Sequence, residues 1–244
     1  MQSIQQIVPT EVARRQRSIF EGLLRGYRFS VCEDPAQAAR AIDVRRQVYQ
    51  GGCGYDVPVP DEYDGRSWLL LAEHVPSGRP VGSMRVTPRP AGPLEAEEYF
   101  QLPASLRGPG VVEVTRFAIL PEHRQSRRFL PVVALGLYKL VCQFTRQLHA
   151  TDVVICSRPE RSFAYQWLAF TTSGLTARYA KLGNMEHELL MCDVRGDMAH
   201  HRDHRYWEFV FEIEHPEIVL PDHVPALGLG PLGSLHDNLL RRTA

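Results

Sequence analysis

Residues 111–157 constrain the fold more than any other part of the chain. VVEVTRFAIL (111–120) reads as a strand, FLPVVALGLYKLVCQFTRQLH (129–149) is apolar at helical spacing, and TDVVICS (151–157) reads as a buried strand. A strand, a long helix and a second strand in succession demand a crossover connection, the mark of an α/β sheet. Pro131 fits the helix only in its first turn, where no backbone N–H is needed. Phe129, Val133, Leu137, Leu140 and Phe144 then share one apolar stripe, the pattern of a core-facing helix.

The segments on either side complete the sheet. EVARRQRSIFEGLLR (11–25) predicts an amphipathic leader helix ending at Gly26. YRFSVC (27–32) alternates like a strand, and residues 34–49 follow as a helix with Pro35 in its first turn. Gly51, Gly52 and Gly54 break that helix, and the chain to Gly65 is expected to be a long ordered loop. SWLLLAEHV (67–75) and PVGSMRVTP (80–88), joined by PSGR, predict an antiparallel hairpin, and residues 89–110 are irregular. Beyond the crossover, the pattern predicts a helix over 161–174 ending at Gly174, then two closing strands ending at Val194. The expected organisation is a leader helix (1–26), one α/β domain (27–215) and a tail (216–244) that is mobile beyond Pro221.

Composition removes several function classes. Lys+Arg and Asp+Glu stand at 28 each, so no global attraction to nucleic acid or an anionic membrane is expected. Five scattered cysteines, none in a CxxC pair, argue for reduced core thiols rather than a disulfide framework or a cysteine zinc site. The N-terminus lacks the order of a signal peptide, and no apolar run approaches the ~18 residues of a membrane span, so the cytoplasm is the expected location. No GxSxG or Walker loop occurs, and the one GxGxxG match, GLGPLG (228–233), lies in the Pro/Gly tail without a strand and helix around it. His200 and His204 stand four apart, but on a stretch without helical periodicity, so no metal site is assigned.

The chemistry-bearing residues come from separate segments: RRQVY (45–49), GYDV (54–57), DEYD (61–64), VGSMRV (81–86) and EVTRFAI (113–119). In order and spacing these motifs resemble the acyl-homoserine-lactone synthase family and its relatives, the N-acyl amino acid synthases, over about residues 27–195. The resemblance implies the GNAT acyltransferase fold, a mixed twisted sheet flanked by helices. It transfers the family signature to Arg45, Asp61, Asp64, Arg85, Glu113 and Arg116. The motif's two aromatic positions, usually Phe and Trp, fall at Tyr49 and Tyr55, and an acid common two residues before the first aspartate is replaced by Val59.

Three arginines and three carboxylates from four segments read as a compensated network that pins the loop and builds an acceptor pocket. An ammonium acceptor must lose a proton before it attacks a thioester, and Glu113 is the expected base. A backbone N–H at a bulge in the third strand, near Phe117 to Ile119, is the expected oxyanion donor. Taken alone, Glu113, Arg85 and Arg116 read as a structural ion-pair cluster; five motifs in register favour the site. The turn before the central helix, PEHRQSRRFLP, lacks the glycines of a coenzyme A loop, so Arg124, Arg127 and Arg128 are candidates for a phosphopantetheine phosphate and an acyl carrier protein. The apolar stripe of the central helix is then also a candidate wall of an acyl tunnel.

The first functional expectation is an N-acyltransferase of lactone-synthase type. The resemblance implies an acyl-carrier-protein (or coenzyme A) thioester as donor, S-adenosylmethionine as acceptor, and no permanently bound cofactor. GYDV and DEYD carry that reading. The alternative, an N-acyl amino acid synthase with a free amino acid acceptor, is favoured by the leader helix, Tyr55, Val59 and the tail. A third reading, of another class, is a non-catalytic domain that binds acyl chains or a carrier protein.

Overall fold

The computed structural model describes residues 20–53, 55–124, 130–166, 168–204 and 206–223. Strands β1 (Tyr27–Val31), β2 (Trp68–His74), β3 (Arg79–Pro88), β4 (Val111–Ile119), β5 (Asp152–Ser157), β6 (Thr171–Tyr179), β7 (Met185–Asp193) and β8 (Ile218–Val219) form one mixed sheet in the order β6-β7-β5-β4-β3-β2-β1-β8. Helices α1 (Pro35–Arg46), α2 (Val132–Gln147) and α3 (Pro159–Gln166) flank it. The β3/β4 pair is antiparallel and the β4/β5 pair parallel, joined by the α2 crossover, as 111–157 required. Among the described residues no helix is long and apolar enough to cross a membrane.

Local chemistry explains most element ends. Asp34 caps α1 by accepting the Gln37 N–H at 2.8 Å, and Pro35 fills the first position, where its missing N–H costs nothing. The β2–β3 turn closes on Gly78, whose φ of +62° is open to glycine without steric cost. Pro131 lies just before α2, as its missing donor requires.

Alternation sorts the sheet into two faces. Val112, Val114, Val153 and Ile155 join α2 in the main core, and Val111, Val154, Leu189 and Tyr179 pack under residues 94–106. The stripe Val133, Leu137, Leu140 and Phe144 is fully packed against the sheet, so it is core and not a tunnel wall; Phe129 lies outside the described residues. Gly136 lets α2 approach the sheet: a Cβ there would stand 2.1 Å from the buried Phe29 ring. Gly136→Ala should therefore lower stability by about 1–3 kcal/mol through overpacking, although alanine in an ordinary helix gains about 1 kcal/mol over glycine. Thermal denaturation tests this, and an unchanged or higher midpoint would show that Phe29 moves aside freely.

Three expectations need correction, and one further segment takes a form of its own. The helix does not stop before Gly51, because Gln47–Cys53 continue α1 in wide π-helical turns. The helix expected over 161–174 ends at Gln166, and residues 171–179 form β6, because TTSGLTARY alternates in burial and pairs with β7. WEFVFEIE contains a π-helical turn at Glu208–Glu212, held on α2 by Lys139, whose buried Nζ donates to Phe209 O (2.5 Å), Ile213 O (2.7 Å) and Val210 O (3.1 Å). The start of the expected tail is not free chain: Ile218–Val219 pair in parallel with β1. Residues 1–19, on which most of the expected leader helix falls, and 224–244 lie outside the described residues.

Candidate active site between two parting strands

β4 and β5 pair only where Val111–Glu113 face Asp152–Val154. Beyond that point β4 bulges: Arg85 pairs with Thr115 but Ser83 with Ala118, so Arg116 and Phe117 together face Met84. Arg116 takes a left-handed φ of +56°, a conformation that costs a non-glycine residue of order 1–3 kcal/mol. A bulge bends and twists its strand, and here it accompanies the opening of the sheet. The bulge expected near Phe117 to Ile119 thus begins one residue earlier.

The gap holds a pocket of about 430 Å³ that reaches both faces of the sheet. On the α2 face its lining is apolar, with Val114, Ile155, Leu130, Pro131 and Ala134. On the opposite face it is polar, with Glu95, Glu113, Cys156, Tyr179 and His187. The two halves suit unlike ligands, an alkyl chain and a small polar molecule, meeting where the strands part.

Beside the polar half lies a buried charge network. Arg45 grips Asp64 through both guanidinium arms, at 2.8 and 2.6 Å. Arg85 bonds Asp61 through Nη1, Asp64 at 3.3 Å, Glu95 at 2.6 Å and the Thr115 hydroxyl at 3.1 Å. Arg116 reaches Asp61 at 2.7 Å and Glu95 at 2.8 Å. Three positive and three negative groups thus balance. Asp61 and Asp64 also order their own loop, since Tyr63 N–H donates to Asp61 and Asp61 N–H to Asp64, both at 2.9 Å. Burial raises the Asp64 pKa, but its ion pairs with Arg45 and Arg85 outweigh this and hold it well below the usual carboxylate range.

The third carboxylate of this network is Glu95, not Glu113. Glu95 lies in the Pro/Gly-rich stretch 89–110, whose composition gave no signal. Among the described residues Glu113 makes no ion pair; its two oxygens accept the backbone N–H groups of Glu95 (2.7 Å) and Ala96 (2.9 Å), which fastens the 94–98 turn to β4. Burial and then the neighbouring Glu95 charge push its carboxyl up to about 8, against Arg85 and the two N–H groups.

The other expected residues separate. Tyr49 and Tyr55 line the pocket with ring centroids 6.1 Å apart, and Tyr49 Oη donates to Phe117 O at 3.2 Å. Burial pushes the Tyr49 hydroxyl up to about 12. Phe117 is partly exposed at the pocket. Arg124 also lines the pocket, its Nε donating to Ile119 O at 2.6 Å, while Arg127 and Arg128 lie outside the described residues. Arg158 and Arg161, at the start of α3, line the same pocket and were not singled out by any motif. His201 Nε2 donates to Asp193 O at 2.9 Å, and among the described residues no cluster of His, Cys, Asp and Glu could hold a metal.

A family model described as N-acyl amino acid synthase FeeM matches residues 44–193. No curated protein matches the chain in sequence. In fold the chain is similar to the N-acyl amino acid synthase FeeM from uncultured soil microbes, at 18% identity and a TM-score of 0.58, covering 69% of this chain and 90% of that one. It is likewise similar to BjaI, a CoA-dependent acyl-homoserine lactone synthase solved with SAM and isopentyl-CoA, at 19% identity and TM-score 0.58, covering 88% and 100%. A third, the AHL synthase LasI, stands at 16% identity and TM-score 0.54, covering 81% and 98%.

Proposed function

We infer the reaction from one premise: the chain belongs to the N-acyl amino acid synthase FeeM family. It is an N-acyltransferase with the GNAT-like fold. The finer reading proposed here is transfer of a fatty acyl group from a phosphopantetheine thioester to the amino group of a free amino acid, giving an open-chain N-acyl amino acid. The observation that carries it is the pocket between β4 and β5, apolar on one face of the sheet and polar on the other.

In this reading the acyl chain lies along Val114, Ile155 and Ala134, and the amino acid enters the polar half beside Glu95 and Arg116. Arg124, Arg158 and Arg161 at the pocket, with Arg127 and Arg128 next to Arg124 in sequence, are proposed to meet the donor's phosphate, a role suited to guanidinium groups. An acyl carrier protein is the proposed donor carrier. The thioester carbonyl would sit at the bulge, where the Phe117 backbone N–H stabilises the oxyanion; one such donor contributes roughly 10²–10³ in rate. The charge network fixes the loop carrying Tyr55 over this half. The reaction so written needs two substrates and no resident cofactor.

A second reading keeps the donor side and takes S-adenosylmethionine as acceptor, with lactone closure after amide formation. It is supported by the Arg45–Asp64 and Arg85–Asp61 pairs, formed by the residues that resemble the lactone-synthase signature. Mass spectrometry of the purified protein with a pool of acyl-carrier and acyl-CoA thioesters separates the two. Amino acids supplied as acceptors should give acyl amino acids. An acyl lactone with methylthioadenosine from S-adenosylmethionine would establish the second reading instead, and no product from either set would remove both.

A further inference from the structure

The polar half of the pocket ends on the β6/β7 pair, which no motif singled out. Sheet register places it. Glu113 pairs with Val154, so three residues further on Arg116 is level with Ser157, and Ser157 pairs with Glu188. His187 therefore stands at the height of the β4 bulge, across the gap. It shares the polar face with Leu189, two residues on, and lines the pocket.

His187 is 6% exposed, and its Nδ1 lies 3.1 Å from Met185 O. A carbonyl oxygen only accepts, so Nδ1 carries the hydrogen, and in the neutral ring Nε2 presents a lone pair. Nε2 has no hydrogen-bond partner among the described residues. Burial, and after it the Arg158 charge, hold the ring's pKa below its usual value despite the Met185 bond, so it is neutral at pH 7. The Tyr179 ring lies 4.4 Å from His187, and Tyr99 stacks on Tyr179 at 3.8 Å. Tyr179 Oη is buried beside the Cys156 thiol, with no oxygen or nitrogen partner among the described residues, and lines the same pocket. His187 Nε2 and Tyr179 Oη, held by ring packing and with no oxygen or nitrogen partner among the described residues, thus face the place where the polar substrate enters. Glu113, by contrast, has both oxygens engaged by backbone N–H groups.

We propose that His187 Nε2 is the catalytic proton acceptor for the amine substrate, with Tyr179 Oη holding the same amino group. The proposal rests on the acyltransferase reading. The ammonium gives one proton to Nε2, directly or through one water, and the freed nitrogen pair forms the C–N bond to the thioester carbonyl. The proton on His187 leaves to solvent. When the tetrahedral intermediate collapses, the C–S bond breaks and the nitrogen's second proton passes through water to the departing thiolate.

His187→Asn keeps an N–H donor for Met185 O but removes the base, and His187→Gln provides a second side chain should the first not fold. For the full-length chain, kcat should fall roughly 10²-fold or more at pH 7 while KM for the acyl thioester holds. The defect should shrink as pH rises, and shrink again with an aminooxy acid, whose nitrogen is already unprotonated at pH 7. In the wild type, the acid limb of kcat/KM seen with the amino acid should vanish with the aminooxy acid. Wild-type rates in either variant, a loss equal for both acceptors at every pH, or an acid limb retained by the wild type with the aminooxy acid would overturn the proposal and leave the acyltransferase reading standing. No product from the wild-type chain with any acceptor would overturn that reading and this proposal together.

Discussion

Asp64→Asn is expected to destabilise the chain by about 3–5 kcal/mol, the usual effect of removing one partner from a buried ion pair. Arg45, Asp64 and Arg85 are 1%, 4% and 0% exposed, so water cannot replace the lost charge. At roughly 2–4 °C per kcal/mol, the melting midpoint should drop by about 10 °C. Residues 50–66 should become more sensitive to protease, and acceptor turnover should be lost with them. Among the described residues Arg45 has no other ion-pair partner, whereas Arg85 keeps Asp61 and Glu95, so adding Arg45→Met should recover part of the loss. A double variant as unstable as Asp64→Asn alone would mean that the stranded Arg45 charge is not the source. The pH dependence has a defined sign. The folded-state pKa of Asp64 lies below its unfolded value of about 3.9, so its stabilisation is complete above that value and is lost as pH falls towards the folded one. Acid denaturation curves of the wild type should carry this loss, and those of Asp64→Asn should not.

Glu113→Gln should behave in the opposite sense, although the residue lies against the same network. Its two oxygens accept two backbone N–H groups, and an amide can offer one oxygen only. One buried donor is then left facing an NH₂ group, at a cost of about 1–3 kcal/mol. The 94–98 turn carries Glu95, which bonds Arg85 and Arg116, so the bulge should shift and kcat/KM fall roughly tenfold or more, about 1.4 kcal/mol per decade. The shape of the pH–rate profile should not change, unlike that of the His187 variants. Because the folded-state pKa is pushed up to about 8 from an ordinary value of about 4.3, the protonated carboxyl stabilises the fold fully below about 4.3, and that contribution is lost as pH rises through 8. Urea denaturation at pH 5 and pH 8 should show the wild type losing stability between them and Glu113→Gln losing less. Equal slopes would show that another group carries the dependence, and a pH–rate profile stripped of its acid limb in Glu113→Gln would return the proton-acceptor role to Glu113.

The β2–β3 hairpin, β4 and the α2 crossover were legible in the sequence because each is encoded within a few residues. Gly78 closes its turn, Pro131 marks a helix start, and alternation or helical spacing sets the element type. The motif residues Arg45, Asp61, Asp64, Arg85 and Arg116 were legible as a set through the resemblance of their motifs to a known family, and their opposite charges made a mutually compensated network the expected way to bury them. What the chain alone does not encode is which strand lies beside which, and at what register. Glu95 joins the arginines because Glu113 ties its backbone to β4, a contact across eighteen positions made through main-chain atoms and therefore invisible in side-chain patterns. His187 and Tyr179 reach the pocket only because β7 is inserted next to β5, out of sequence order, and because β4 leaves β5 at a bulge centred on a left-handed arginine. Local sequence therefore determined the elements, and the motifs with their family resemblance pointed to most of the charged network. Sheet order and the parting of two strands, which depend on the packing of the whole chain, decided where a substrate can enter and which polar groups are left free to meet it.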